Sequence, residues 1–216
     1  LSDPQAIADL PAADNVFFLA GVKFGTSNQP EMLQRMNVDM PTLVAEHYLS
    51  ARIVALSTGC VYSFTSPEFG GATEDSDVDP PGDYAQSCRG RESAFEAAAK
   101  SCGTRSSLIR LNYSIDLRYG VLLDIAQKVR ACQPVNVEMG YANVIWQGDA
   151  IAHTIQSLPH ADAPPFIVNI TGPNVLSVRD IANMFGDRFG STPIIEGSEQ
   201  PTAWLSNAAK AHALFG

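Results

Sequence analysis

The chain has 216 residues, of which 45% are hydrophobic and 17% charged, a balance typical of a globular protein with a sizeable core. The formal net charge of −9 opposes binding to nucleic-acid phosphates, and the 14 Lys and Arg residues are scattered along the chain. No apolar run approaches the roughly 20 residues of a membrane span, and no signal peptide opens the chain. We therefore expect a cytoplasmic protein without nucleic acid or membrane as a partner.

The first predicted strand covers residues 16–20, VFFLA, and ends at Gly21. Its side chains are apolar on both faces, so we expect a central strand of a parallel sheet, buried on both sides. A helix is predicted over residues 31–49, with a kink or a restart at Pro41, because proline cannot donate the helical hydrogen bond.

Further strands and helices alternate along the rest of the chain. Strands are predicted at residues 52–57, 106–111, 143–146 and 166–170. Helices are predicted at residues 83–100, 120–132, 149–158, 178–189 and 206–214. The expected N-caps are Asp83, Asp149 and Ser177, and Gly190 is expected to end the penultimate helix. Residues 64–83 are rich in Pro, Gly, Asp and Ser and indicate a long surface loop.

This alternation indicates an α/β fold with a doubly wound parallel sheet, Rossmann-like, and a small C-terminal lobe. Residues 1–115 are assigned to a dinucleotide-binding domain, and residues 116–216 to a mixed region with the substrate lobe and returning sheet elements. Such a sheet normally holds a pyrophosphate at a glycine-rich turn after its first strand. No G-x-G-x-x-G or related turn follows any strand here. We therefore expect further sheet, including that turn, to precede Leu1.

The cysteines match no metal-ligand spacing and form no C-x-x-C pair; they are Cys60, Cys88, Cys102 and Cys132. We predict four reduced, mostly buried thiols and no metal site. Two N-x-S/T sequons begin at Asn112 and Asn169, and each follows an apolar strand-like run, so neither is predicted to be glycosylated. The four histidines share no motif and are predicted to be structural or exposed.

Six segments, taken in order, carry a resemblance to a known family. They are ADNVFFLAG at 13–21, Asn37 in the first long helix, STGCVY at 57–62, TED at 73–75 with YAQSCRGRE at 84–92, NVIWQGD at 143–149, and NITG at 169–172 with the helix at 178–189. They resemble the extended short-chain dehydrogenase/reductases, also called the NAD-dependent epimerase/dehydratase family. The resemblance covers nearly the whole chain and begins after the family's third strand.

The resemblance implies a site and a cofactor, NAD or NADP. Tyr84 would be the general acid/base for a substrate oxygen, and Thr58 would hydrogen-bond the same oxygen while hydride moves to or from the nicotinamide. Cofactor contacts are implied for Leu19, Ala20, Gly21, Asn37 and Cys88, and contacts to a small-molecule substrate for Lys23 and Asn112. It also implies a homodimer that pairs residues 32–49 and 84–100 in a four-helix bundle.

One position departs from the family in a way that bears on the chemistry. The family's lysine, which binds the nicotinamide ribose and lowers the tyrosine pKa, is Cys88 here, and a thiol carries no fixed charge. Arg89 points about 140° around the helix from Tyr84, and Arg91 lies on the same face but about 10 Å along the axis. Lys23 is therefore a candidate for the compensating cation, and an exposed loop lysine is the plainer interpretation.

Three hypotheses follow. The chain is an enzyme that oxidises, reduces or epimerises a small hydroxylated substrate, sugar derivatives included. Alternatively it is a catalytically lapsed relative that keeps the dinucleotide as a structural or sensed ligand, or a scaffold that binds none. The retained Thr58 and Tyr84 favour the enzyme. The lack of an arginine before Asn143 weakens the case for a nucleotide-diphosphate sugar, and a reactive pair of Cys60 and Cys88 remains a further alternative.

Overall fold

The computed structural model describes residues 3–22 and 29–216. Its strands are β1 Asn15–Phe18, β2 Arg52–Thr58, β3 Arg105–Leu111, β4 Ser114–Ile115, β5 Val135–Asn136, β6 Tyr141–Ala142, β7 Ile145–Trp146, β8 Phe166–Ile170, β9 Leu176–Ser177 and β10 Ile195–Glu196. Its helices are α1 Pro4–Ala8, α2 Pro30–Gln34, α3 Met40–His47, α4 Gly82–Cys102, α5 Val121–Arg130, α6 Gln147–Gln156, α7 Val178–Phe189 and α8 Ala209–Phe215.

The main sheet has four parallel strands in the order β1-β2-β3-β8. Ile53 and Leu108 face a core that includes residues of α1, α3 and α4. Their neighbours Val54 and Ile109 point to the opposite face, into a core with residues of α6 and α8. Helices thus cover both faces of the sheet, which confirms the predicted doubly wound α/β class.

Strand β1 lies at one end of the described sheet. Among the described residues it pairs only with β2. Phe17 is 38% exposed, and Leu19, just beyond the strand, is 57% exposed. The strand predicted on its other side belongs to the further sheet expected before Leu1, so the central position of β1 stays a prediction.

The helical segment after β1 restarts near Pro41, as predicted. Helix α2 runs into a π-helical turn at Arg35–Asp39, and α3 begins directly after it with Pro41 in its first turn. Proline cannot supply the backbone N–H of a regular helix, and the wider π turn accommodates the interruption.

The helix ends follow the predicted signals in part. Ser177 caps α7, its hydroxyl accepting from the Asp180 N–H at 3.2 Å, and Gly190 ends that helix in a left-handed conformation, as predicted. Asp83 and Asp149 are not N-caps, because α4 and α6 begin one or two residues earlier. Both carboxylates instead lie in the first turn, where they complement the helix dipole.

The C-terminal lobe packs α5 against α7 around a small apolar cluster that includes Ile125, Val129 and Ala182. Strand pairs β5–β10 and β6–β9 complete it. From there the chain returns toward the main sheet. Ala203 forms a bridge with Thr65, which lies in the loop after β2. None of the helices in the described ranges is long and apolar enough to cross a membrane.

Candidate active site

Parallel pairing brings the ends of the strands to one edge of the sheet, where open α/β sheets bind ligands. Residues 19–22 follow β1 at this edge, Thr58 ends β2 and Asn112 follows β3. Helix α4 begins nearby and packs against the turn after β2, which carries Cys60. The sequence segments that carry the predicted site therefore converge in space.

Thr58 ends β2 in an extended conformation and caps the short 3₁₀ turn Gly59–Val61. Its Oγ1 accepts a hydrogen bond from the Cys60 N–H at 3.2 Å. That contact uses the hydroxyl as an acceptor and leaves its hydrogen to be donated elsewhere. The residue is 8% exposed, so the strand end and the cap hold the hydroxyl in one place.

Tyr84 and Cys88 lie one helical turn apart on α4, and their side chains meet. Tyr84 packs against the small buried cluster that contains Cys88. Burial raises the pKa of Tyr84, and the nearby Cys88 and Cys60 raise it further, while Arg91 lowers it. The family's lysine would act in the opposite direction, so Tyr84 holds its proton firmly at neutral pH.

The two buried thiols are poor nucleophiles in this environment. Burial raises the pKa of Cys60 to about 11 and also raises the pKa of Cys88. Because the thiolate is the reactive form, these shifts weaken the hypothesis of a reactive pair. All four cysteines are free, but Cys102 and Cys132 are exposed, so the expectation of mostly buried thiols holds for only two of them.

Asn37 lies in the π turn and is fully buried. Its Oδ1 accepts hydrogen bonds from the Val22 N–H, at 2.9 Å, and from Arg91 Nη2. Its Nδ2 donates to Ser87 Oγ at 2.9 Å and lies 3.9 Å from Cys88 Sγ. The amide therefore joins the end of β1 to α4, and the contacts to a cofactor that the resemblance implies for Asn37 remain a proposal.

Arg91 overturns one step of the sequence reasoning. Its side chain is 6% exposed and extends back to the ends of β1 and β2. Nη1 donates to the carbonyl of Leu56 in β2 at 2.7 Å, and the guanidinium lies 5.9 Å from the ring centre of Phe18 in β1. The separation of about 10 Å along the helix axis does not include the length of the arginine side chain, which extends back along the helix. A signal was present in Gly21, where a Cβ would overlap the guanidinium.

Arg89 lies on a different face of α4, as predicted. Its guanidinium binds Glu96 with two hydrogen bonds of 2.9 and 2.8 Å and lies 3.7 Å from Glu92. It therefore supplies no charge in place of the family's lysine.

A buried ion pair under the site was not predicted from the sequence. Arg110 donates to both carboxylate oxygens of Glu92 at 2.9 and 2.8 Å, and the two residues are 2% and 0% exposed. Ser57 donates to Glu92 at 2.7 Å, and Arg110 donates to the Tyr62 hydroxyl at 2.7 Å. A charged residue in the middle of the apolar strand SSLIRL was the available signal.

Asn112 is 3% exposed and holds the C-terminal segment to the sheet. Its Nδ2 donates to Asn143 Oδ1 at 2.9 Å and to the Trp204 carbonyl at 3.1 Å. Since both amide hydrogens bind protein groups, its implied role toward a substrate stays a proposal. Asn169 is also fully buried, which agrees with the prediction that neither sequon is glycosylated.

Two cavities flank the end of β1. One of about 540 Å³ lies on the α6 side and has a mainly apolar lining that includes Leu19, Leu56 and Leu111. Another of about 780 Å³ lies beside α2 and includes Gly21 and Met36. Ala20 is half-buried between them, and Lys23 lies outside the described residues.

No protein-family model and no curated protein matches the sequence. Solved structures match its fold over almost the whole chain. A double mutant of the dTDP-glucose 4,6-dehydratase DesIV from Streptomyces venezuelae, with NAD and DAU bound, superposes with a TM-score of 0.83 at 17% identity, over 100% of this chain and 71% of that chain. This chain therefore shares the fold of that dehydratase.

Two further solved structures of this fold are similar. UDP-glucuronic acid 4-epimerase from Bacillus cereus, in complex with NAD, has a TM-score of 0.77 at 16% identity, covering 98% of this chain and 68% of that chain. RMD from Pseudomonas aeruginosa, complexed with NADPH, has a TM-score of 0.80 at 18% identity, covering 100% and 80%. The predicted Rossmann-like α/β fold is confirmed.

Proposed function

We propose that this protein is an NAD- or NADP-dependent oxidoreductase, epimerase or dehydratase that acts on a small hydroxylated substrate. The observation that carries the proposal is the pair of hydroxyls, Thr58 and Tyr84, at the edge of a parallel sheet with the extended short-chain dehydrogenase/reductase fold. The solved neighbours bound to NAD or NADPH support the same cofactor class.

Two of the implied cofactor contacts line cavities at the end of β1, Leu19 in the one of about 540 Å³ and Gly21 in the one of about 780 Å³. Both cavities have the size of ordinary ligand pockets, but neither Thr58 nor Tyr84 is among the residues that line them. No glycine-rich turn follows a strand in the sequence, so no residue of this chain is assigned to the pyrophosphate. When bound, the cofactor supplies or accepts a hydride.

The protein's own contribution is the placement of a proton. Tyr84 is protonated at neutral pH because burial and the neighbouring thiols raise its pKa. It can therefore donate to a substrate oxygen that gains negative charge, while Thr58 donates a second hydrogen bond to that oxygen. Removing a proton from a substrate hydroxyl is harder for such a tyrosine. The site thus favours reduction of a carbonyl over oxidation of an alcohol.

The lapsed relative remains the second candidate, and one observation favours it. Cys88 replaces the cation that tunes the tyrosine in the family, and the Cys88 sulfur raises the pKa of Tyr84. Under this alternative the protein binds the dinucleotide but transfers no hydride to or from any substrate in a broad panel.

Replacing Tyr84 by Phe separates the two candidates. For an enzyme, Tyr84→Phe removes the proton donor and keeps the ring, so turnover should fall by about 10²–10⁴ while calorimetry shows unchanged cofactor binding. Tyr48→Phe is the matched control, because Tyr48 follows the C-terminal end of α3 and its hydroxyl donates to the Pro11 carbonyl. Turnover that survives Tyr84→Phe, or dinucleotide binding without turnover in the unmodified protein, would reject the proposed chemistry.

The proposed substrate class differs from the sugar nucleotides after which two of the solved neighbours are named. In this chain Tyr141 and Ala142 precede Asn143, at the place where an arginine often binds the diphosphate. We therefore propose a small hydroxylated or carbonyl compound, sugar derivatives included, as the first panel to test. Pairing of α2–α3 and α4 between two copies, and the division at residue 115, remain part of the proposal.

A further inference from the structure

We propose that Arg91 supplies the fixed positive charge of this site, so that the cation has moved along α4 from position 88 to position 91. Its meaning for catalysis rests on the proposed function. The charge itself and its placement rest on the geometry around Arg91 and can be tested without any activity.

The first observation is a buried charge without a counter-charge. Arg91 is 6% exposed, yet no carboxylate among the described residues lies within ion-pair distance of it. Residues 23–28, KFGTSN, contain no Asp or Glu either. Its polar partners are the Leu56 carbonyl and the Asn37 amide oxygen, and Nε is buried without a hydrogen-bond partner in the described ranges. A buried unpaired charge costs several kcal/mol, so an arginine without a function would be costly here.

The second observation is that the end of β1 is shaped to admit this side chain. A Cβ on Gly21 would overlap the Arg91 guanidinium and come within 3.0 Å of Asn37 Oδ1. Any residue but glycine would therefore displace the arginine. The small residue at 21, the acceptor at 37 and the cation at 91 form a matched set.

The third observation is a series of contacts that leads from Arg91 to the cluster against which Tyr84 packs. The guanidinium donates to Asn37 Oδ1, the same amide places Nδ2 3.9 Å from Cys88 Sγ, and Cys88 and Tyr84 pack in one cluster. Burial raises the pKa of both Tyr84 and Cys88, and the charge of Arg91 acts in the opposite direction on each. This is the direction in which the family's lysine acts.

The other groups near Tyr84 do not supply this effect. Cys88 on the same helix and Cys60 in the turn after β2 both raise the tyrosine pKa. The Tyr62 hydroxyl, from the segment packed beside Tyr84, is bound to Arg110 and Asn169. Glu92 is paired with Arg110. Arg91 acts through Asn37 and Cys88, and is therefore a positioning residue in the proposed reaction.

The experiment is a double-mutant cycle of charged residues in which the unfolding equilibrium is measured in denaturant. The variants are Arg91→Met, Cys88→Lys, the double variant, and Arg91→Lys as the conservative control. If the cation resides at 91, a second cation at 88 is repelled by it. We expect Cys88→Lys to raise the equilibrium constant for unfolding, by a factor at least tenfold larger in the unmodified protein than in the Arg91→Met background. Equal effects in the two backgrounds would overturn the proposal.

A second cycle covers the case in which Cys88→Lys folds in neither background. Gly21→Ala strains the backbone in both backgrounds, because Gly21 has a φ of +156°. In the unmodified protein the new methyl group also overlaps the guanidinium, so the substitution should cost less with Arg91→Met. If Gly21→Ala costs the same in both backgrounds, Arg91 does not lie where the proposal needs it, and the proposal fails.

The catalytic part has its own readout in the separation of kcat from KM. Arg91→Met should reduce kcat at neutral pH at least tenfold and leave KM nearly unchanged, because Tyr84 becomes a weaker proton donor. Arg91→Lys should restore most of the loss, and so should Cys88→Lys added to Arg91→Met. An unchanged kcat in Arg91→Met would overturn the inference for an active enzyme. Inactivity of every protein, the unmodified one included, together with the stability coupling, would reject the proposed function and leave the placed charge supported.

Discussion

The contribution of an ion pair to the stability of this molecule depends on how deeply the two residues are buried. Glu92 and Arg110 form a fully buried pair, whereas Glu96 and Arg89 form a similar pair on the exposed side of the same helix. Both pairs have short contacts of 2.8 Å. The two pairs differ in their access to water. Water screens the exposed charges and solvates them when the pair is broken, but it does not reach the buried charges.

Breaking the buried pair should therefore be far more damaging than breaking the exposed one. Glu92→Gln leaves the Arg110 charge without compensation, at an expected cost of about 3–5 kcal/mol in the free energy of unfolding. Glu96→Gln is the matched control, with an expected cost below about 1 kcal/mol. Denaturant unfolding of the two variants checks the difference. Similar costs would mean that the Glu92 network does not carry this energy.

The buried Cys60 thiol should make stability depend on pH. Its pKa is raised by burial from the ordinary 9.0 to about 11. Between these values the unfolded chain loses the thiol proton while the folded protein keeps it, so stability is full below pH 9 and falls as pH rises. The difference in unfolding free energy between the unmodified protein and Cys60→Ala should change by about 2 kcal/mol over this range.

Other groups also titrate at high pH, so the comparison with Cys60→Ala is what isolates this thiol. Cys132→Ala serves as the control for removing a surface thiol. If the stability difference between the unmodified protein and Cys60→Ala is constant from pH 9 to 11, the thiol is not shielded as the structure shows.

At the scale of elements, the contact between α4 and the π turn depends on one glycine. A Cβ on Gly90 would come within 2.8 Å of Val38 Cγ2. Valine is stiff at its Cβ and cannot easily swing away. The glycine therefore allows the two segments to approach closely, and this approach brings Asn37 to Cys88.

The sign of the effect of Gly90→Ala should depend on Val38. In the unmodified protein the new methyl group overpacks the contact, at a typical cost of about 1–3 kcal/mol. In a Val38→Ala background the clash is removed, and the better helix propensity of alanine should stabilise the protein by up to about 1 kcal/mol. Unfolding of the four proteins of this cycle checks the reversal. A stabilising Gly90→Ala in both backgrounds would contradict the close packing.

At the scale of the whole molecule, the segment at residues 203–207 holds the loop after β2 to the end of the sheet. Ala203 bridges to Thr65, and Ser206 bridges to Ala72. Asn143 is 2% exposed and binds this segment, with Nδ2 donating to the Ser206 carbonyl. The position of the long loop therefore depends on contacts more than 60 residues apart in sequence.

Asn143→Ala should loosen this segment. It removes the acceptor of Asn112 and the donor to Ser206, and leaving buried polar groups unpaired costs about 1–3 kcal/mol each. Hydrogen exchange at the Ala203 and Ser206 amides should accelerate. Asn136→Ala is the control, because Asn136 is exposed and bonds only to its neighbour Glu138. Unchanged protection at residues 203–206 would show that other contacts hold the segment.

Local patterns were sufficient for the elements. Apolar runs predicted β2, β3 and β8, and the Ser177 and Gly190 signals predicted both ends of α7. These predictions succeeded because caps and periodicity depend on residues that are close in sequence. Asp83 and Asp149 failed as caps because a favourable residue type does not fix which residue begins the helix.

The order of the segments determined the class of fold, and with it the edge of the sheet at which Thr58 and Tyr84 were expected. Only the tertiary structure decided which cation approaches Cys88, because a side chain's reach across two elements depends on where both backbones lie. It placed Arg91 against Gly21 and Asn37, and Arg110 against Glu92.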